Sequence, residues 1–308
     1  MSHIDGTRRT GVWLAGATAL ISGFAVFFNG YGVRAWANVA DPTAYTTLKN
    51  LVAALTISAA AAVVHFRLRE RPHVPTSGNA RLALAFIAVI GGSVPFVLFF
   101  EGLALANSAQ AAAIHKTLII WVGLFAVLFL RERMGWPHLA AIGALVWGQV
   151  VLLGGSADFG FGRGEAMILS ATLLWSVEVV VAKKVLSHTS SSTVALARMG
   201  GGSLVLVAWV LIRGGGIDWS GLTASHLVWL LVAGAFLSGY VLTWFAALSR
   251  APAVDVTAVL VGGALITAIL QSAVEGTAFP HPLGLALIVI GVAVVFWVGR
   301  QRRGVTQS

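Results

Sequence analysis

Apolar residues fill this 308-residue chain in long unbroken stretches, and polar residues gather in the short segments between them. The stretches fall at 11–33, 43–66, 81–103, 109–130, 136–154, 164–186, 192–213, 225–249, 252–274 and 280–299. A helix needs roughly 20 apolar residues to cross the hydrocarbon of a bilayer, so each stretch predicts one transmembrane helix. The connections carry the breakers, at Asp41-Pro42, 72–78, Gly154-Gly155, 214–216, Ala251-Pro252 and 280–282. None has room for a soluble domain. Residues 1–10, with Arg8 and Arg9, look like the charged start of a signal peptide. The apolar stretch behind them is too long for a signal core, and it is predicted as the first membrane helix.

The pattern occurs twice. Ala104-Leu105, an apolar run, Glu132, Pro137-His138 and Gly148 recur about 143 residues later as Ala247-Leu248, a second run, Glu275, Pro280-His281 and Gly291. Ala17-Thr18, Leu20 and Ser22 match Ala171-Thr172, Leu174 and Ser176, and Lys49 falls opposite Arg198. The chain therefore reads as one unit copied and fused, residues 1–156 and 157–308. Five helices per unit is an odd number, so the second copy enters the membrane upside down. The expected fold is all-α and integral to the membrane: ten helices in two inverted five-helix repeats around a central cavity, an architecture common among secondary transporters.

Composition agrees, at 58% hydrophobic and 10% charged residues with a mean hydropathy of +0.88. Zero cysteines exclude disulfides, thiolate metal sites and thiol nucleophiles. The net charge of +9 does not mark a nucleic-acid surface, because the basic residues sit at helix ends. Fourteen Lys and Arg residues fall at one set of ends, and only Arg34, Arg163 and Arg213 at the other. That bias predicts a multi-pass protein of a bacterial-type inner (plasma) membrane with both termini in the cytoplasm.

Ala104-Leu105, the mostly small residues 109–113, a long run, Arg131-Glu132-Arg133 and a glycine-bearing helix (Gly143, Gly148) resemble the EamA repeat of the drug/metabolite transporter superfamily. The resemblance covers nearly the whole chain in two copies. The second copy departs from it at 271–275, where no arginine flanks Glu275. The resemblance implies a cavity lined mainly by helices one, three, four, six, eight and nine, with five and ten peripheral. It implies export of amino acids, other metabolites or drugs.

Ionisable groups inside a membrane helix cost a few kcal/mol each, so each is a functional candidate. Here they are Lys49, His115, Lys116, Glu178 and Arg198, with Glu101 and Asp255 nearer helix ends. Lys116 and His115 adjoin in the fourth helix and are placed to border one cavity. A lysine there resembles the one that plastid sugar-phosphate translocators present, but residues 259–265 carry no basic residue, so the phosphate role does not carry over. The alternatives for Lys116 are snorkelling or pairing with Glu101 or Asp255; for His115, a packing histidine. Glu178 and Trp175 share a helix face and suit a cationic amine, a coupling proton, or a fixed ion pair with Lys116 or Arg198. Lys49 and Arg198 resemble the family's usual basic residues and are expected to be gating or structural charges. Trp121, Trp175 and Trp244 lie deep enough to line the cavity or to pack. Trp13, Trp36, Trp136, Trp219 and Trp297 read as interface anchors, and Glu132 as part of a solvated cluster with Arg131 and Arg133. Pro95 breaks the third helix, as a hinge or a static kink.

No phosphate loop, nucleotide fingerprint, metal-spaced histidines or nucleophile elbow is present. No catalytic residue, cofactor or metal is expected, and the energy for transport must come from a gradient, an exchange partner or a separate protein. The expected partners are a small-molecule substrate and the lipid bilayer, with proton coupling open. Small residues at Gly143, Gly148, Gly284 and Gly291 permit a homodimer. The reading is a secondary transporter exporting a small polar metabolite, with zwitterions such as amino acids suited to Lys116 at one end and Glu178 with Trp175 at the other. An organic anion carrier and a cationic drug exporter are the alternatives, and a membrane enzyme or receptor is disfavoured.

Overall fold

The computed structural model describes residues 2–68, 75, 77–106, 111, 114–152, 161–214, 216–276 and 279–301. Residues 72–74, Gly154, Gly155, Arg69, Arg71, Arg302 and Arg303 lie outside that set, as do Ala109, Gln110, Ala112 and Ala113 of the mostly small segment. Among the described residues there are helices and no strands, with one isolated bridge between Ala40 and Ile217. The apolar helices are α1 (Ser2–Trp36), α2 (Pro42–Leu68), α3 (Gly78–Leu103), α4 (Ile114–Leu130), α5 (Trp136–Leu152), α6 (Arg163–Val185), α7 (Ser191–Arg213), α8 (Ala224–Leu248), α9 (Ala253–Glu275) and α10 (Pro282–Gln301). Seven are long and apolar enough to cross a membrane; α4, α5 and α10 are shorter.

Helix α1 starts earlier than the apolar pattern predicts. Its polar first turns stay helical because Arg8 finds Asp255 at the start of α9, 2.6 Å away. Helices α3 and α7 are interrupted by π-turns at Ile87–Gly91 and Ala197–Gly201. After the first, the backbone breaks at Gly92 and Ser93 and helix resumes at Val94, with Pro95 in its first turn. Proline lacks the N–H that the Gly91 carbonyl needs four residues on. The Trp175 indole N–H of α6 supplies it, at 3.2 Å. Pro95 thus produces a break where the sequence predicts one.

The two interrupted helices meet backbone to backbone. A Cβ placed on Gly92 would fall inside the contact shell of the Arg198 carbonyl oxygen and 2.9 Å from Gly202 Cα. Only glycine permits this crossing, as close approach in membrane bundles generally requires small residues. The same logic operates between α5 and α10, where a Cβ on either Gly148 or Gly284 would lie 3.0 Å from the other's carbonyl oxygen. Gly291 is likewise occupied, against Leu145. Of the four glycines that permit a dimer, three are therefore filled within the chain, and only Gly143 faces open space.

Helix packing follows an exchange rule. α1 lies against α8 and α9, and α6 lies against α3 and α4. α2 touches α8, α7 touches α3, and the pairs α2–α7, α4–α9 and α5–α10 map onto themselves. Moving each of these helices five places along returns this set of contacts, while others, such as α9 against α10, have no counterpart of similar extent. At one end, called here the N-terminal end, the starts of α1, α5 and α9 meet the ends of α4, α6 and α8. Ala15, Ala182, Ala247, Leu248 and Ala253 are completely buried there. At the opposite end Arg34 pairs with Glu275 and Arg213 with Glu101, both across half-exposed surfaces. A small cluster of Trp36, Val39, Tyr45 and Leu230 closes one corner of it. Trp36 is therefore not an interface anchor: its indole N–H donates to the His226 carbonyl and the ring is buried. Trp13, Trp136, Trp219 and Trp297 are more than half exposed, as anchors require.

Candidate functional site

A cavity of about 260 Å³ lies between the halves, and the charges predicted inside the membrane converge on it. Lys49, His115, Lys116, Trp175, Glu178, Arg198 and Trp244 all line it. They arrive from α2, α4, α6, α7 and α8; α1 adds Ser22 and Asn29, α3 adds Phe96, and α9 adds Leu260. α5 and α10 contribute nothing, but α2 and α7 contribute more than the family resemblance implies. Lys49 and Arg198, expected as gating or structural charges, stand in the wall itself. Trp121 does not. Its indole N–H turns back to Thr117 Oγ1 at 3.0 Å.

Each charge has a different degree of compensation. Among the described residues, Lys49 Nζ reaches only Asn29 Oδ1, at 3.3 Å, and sits over the Tyr45 and Phe100 rings at 5.7 and 5.2 Å. Among the described residues, no hydrogen bond or ion pair reaches Lys116. Its proposed alternatives are taken: Glu101 pairs with Arg213, and Asp255 with Arg8 and His138. Glu178, the single carboxylate among the described lining residues, faces Arg198 Nε at 3.5 Å, with side chains 2% and 9% exposed. The cavity therefore holds three strong cations and one carboxylate.

An aromatic wall completes it. His115 packs edge-on against Phe99 and against Trp175 at 5.2 Å each, Phe99 and Trp175 tilt toward one another at 5.7 Å, and Phe96 adds an edge contact to Trp175 at 5.3 Å. Tyr240 stacks on Trp244 at 6.0 Å. Tyr240, Asn29 and Phe96 are among the lining residues that sequence reasoning passed over. Asn29 is legible in hindsight as a lone amide inside an apolar run. The Trp175 indole both lines the cavity and supports the α3 break. Trp175→Phe is expected to strand the Gly91 carbonyl and lower stability by about 1–3 kcal/mol, read as a lower melting temperature in detergent. An unchanged melting curve contradicts that role.

A second charged cluster closes the N-terminal end. Asp255 accepts from Arg8 at 2.6 Å and faces His138 Nε2 at 3.3 Å. The Gly135 N–H donates to His138 Nδ1, which leaves the ring proton on Nε2, toward Asp255. Glu132 is not a solvated partner of its arginine neighbours. Its carboxylate caps α9, accepting from the Ala253 and Val254 N–H groups at 2.8 and 3.3 Å. Lys183 Nζ donates to the Leu248 and Ala251 carbonyls at 2.6 and 2.7 Å, capping the end of α8. The α8–α9 connection is thus pinned from both sides.

Charged residues gathered in a central cavity of an apolar helical bundle, between two like halves, are what a membrane transporter requires. The EamA-like transporter family matches residues 9–154 and again 162–297, and the chain belongs to that family, within the drug/metabolite transporter superfamily. A solved structure titled only "Crystal structure of protein" superposes with a TM-score of 0.76 over 95% of this chain and 98% of that one, at 18% identity, which speaks for the fold alone. No curated protein sequence matches the chain.

Proposed function

We propose that this transporter carries a small organic acid through the central cavity by alternating access. The observation that carries the reading is the imbalance of charge. Lys116 has no counter-ion among the described residues, Lys49 has only an amide, and the one carboxylate already faces Arg198. Desolvated cations seek an anion, and the Trp175–Phe96–His115 wall suits an apolar or aromatic body beside it. A zwitterion such as an amino acid is the second reading, favoured by Glu178 and Trp175 on one face of α6. In either case the substrate brings a carboxylate to the lysines.

The proposed frame is ten crossings in two inverted five-helix repeats, residues 1–156 and 157–308. In support, α1 begins at the end of the bundle where its counterpart α6 finishes, and the most extensive helix contacts survive exchange of the halves. Such symmetry offers two similarly packed states, one open to each side. The positive bias of the connections supports cytoplasmic termini in an inner membrane, and we take the physiological direction as export. The α3 break at Pro95 serves as a hinge in this scheme.

Counterflow into liposomes preloaded with unlabelled organic acids or amino acids tests the reading. Lys116→Ala is expected to reduce flux at least tenfold, equivalent to about 1.4 kcal/mol or more of lost substrate binding. Flux that survives in both Lys116→Ala and Lys49→Ala sinks the organic-acid reading.

A further inference from the structure

The Arg198–Glu178 pair is poorly made for a permanent one. Buried ion pairs persist when aligned hydrogen bonds fill the remaining donors and acceptors. Here the single close approach is 3.5 Å, and neither Arg198 Nε nor Glu178 Oε1 has a hydrogen-bond partner. The rest of the guanidinium touches the Met199 sulfur at 3.7 Å and stands over the Phe96 ring at 5.7 Å. A five-donor fork that matches a carboxylate in two places is thus held by one misaligned oxygen, inside a cavity.

The position is built rather than incidental. Arg198 sits in the π-turn Ala197–Gly201, and Glu178 packs where the other π-turn ends: a Cβ on Gly91 would lie 2.6 Å from Glu178 Cγ. π-turns shift the register of a helix by one residue and recur at functional sites. Both interruptions in the fold therefore converge on this one pair.

We propose that Arg198 is a carboxylate-binding subsite and that Glu178 is its built-in occupant, displaced when it takes a proton. The proposal rests on the reading of the cavity as an organic-acid site. A proton from solvent adds to a Glu178 oxygen, the carboxylate becomes a neutral acid, and the freed guanidinium takes the substrate carboxylate in its place. One anion and one proton enter together, and the cavity charge is unchanged. Among the described lining residues, the groups facing Glu178 leave it the only carboxylate able to do this. α4 offers His115 and Lys116, α7 Arg198, α8 Tyr240 and α2 Lys49, while the lining residues of α1, α3 and α9 carry no charge.

Acetate, the smallest carboxylate with a carbon body, is a sufficient probe, since a ligand of the folded state raises its melting temperature by mass action. Melting of the full-length wild-type protein against acetate concentration gives an apparent Kd. Between about pH 8 and about pH 6 a strictly linked proton tightens it by up to about 100-fold. Glu178→Gln is expected to bind acetate at the tighter value at both pH values, and Glu178→Gln combined with Arg198→Met to lose that gain. A wild-type Kd that ignores pH overturns the subsite while leaving the organic-acid reading intact, provided binding still depends on Lys116. Acetate binding that persists unchanged in the double variant overturns it as well. Absence of any acetate effect, in wild type and Glu178→Gln alike, removes both the subsite and the reading beneath it.

Discussion

Alanine at position 92 is expected to leave almost no folded protein. Overpacking a core by one methyl commonly costs about 1–3 kcal/mol, because side chains swing aside. At Gly92 the obstructing atoms are the Arg198 carbonyl oxygen and the Gly202 Cα, and backbone in a packed helix has nowhere to swing. Relief requires α3 and α7 to separate, which also uncouples the two π-turns and the Glu178 pocket behind them. The loss therefore exceeds the usual range and falls among the exceptional single substitutions. Gly200 supplies the control, since it shares the α7 π-turn but has nothing within 4 Å of its would-be Cβ. Size-exclusion chromatography in detergent is expected to give a single sharp peak for Gly200→Ala and aggregate for Gly92→Ala. A monodisperse Gly92→Ala protein with near-native melting contradicts the account.

The second large effect is at Asp255. Its removal strands the Arg8 guanidinium and the His138 ring at the buried start of α9. Breaking one partner of a buried ionic cluster costs about 3–5 kcal/mol, more than deleting the whole cluster. Asp255→Ala is thus expected to loosen the N-terminal end, where Glu132 and Lys183 alone would hold the α8–α9 connection. The chain has no cysteine, so a single introduced one is a clean reporter. Val254 is 3% exposed and larger than cysteine, so Val254→Cys fits. Its maleimide labelling is expected to be slow in the parent and at least tenfold faster with Asp255→Ala. Equal rates would show that the cluster does not lock this end. Replacing Arg8 and Asp255 together by apolar residues is expected to restore slow labelling in large part.

Much of the site was legible because lipid forbids idle charge. Lys49, His115, Lys116, Glu178 and Arg198 interrupt apolar runs, and a charge inside a span has to face protein or a water-filled cavity. Their convergence follows from that penalty. Pattern gave the repeat and the approximate helices by the same logic. What stayed hidden was rotation and end geometry. Trp121 and Trp175 both fall well inside apolar runs, yet only Trp175 lines the cavity, because helix phase depends on packing and on π-turns that no residue pattern announces. Arg8 and Asp255 looked like terminal charges, since each falls where a span is expected to meet water. Glu132 looked solvated between two arginines, and only the fold brings the start of α9 within its reach. Trp36 followed the statistics of interface tryptophans until a carbonyl 190 residues away claimed its N–H.

The seam between α5 and α10 closes at Gly148 against Gly284 and at Gly291 against Ala141, and exchange of the halves carries each contact onto the other, so the helix pair turns into itself. In the proposed cycle, most interfaces alternate with a distinct twin. This one has no distinct twin, so its spacing is the same number in both conformations. It is a fixed length inside a moving object, against which displacements elsewhere in the bundle are measured.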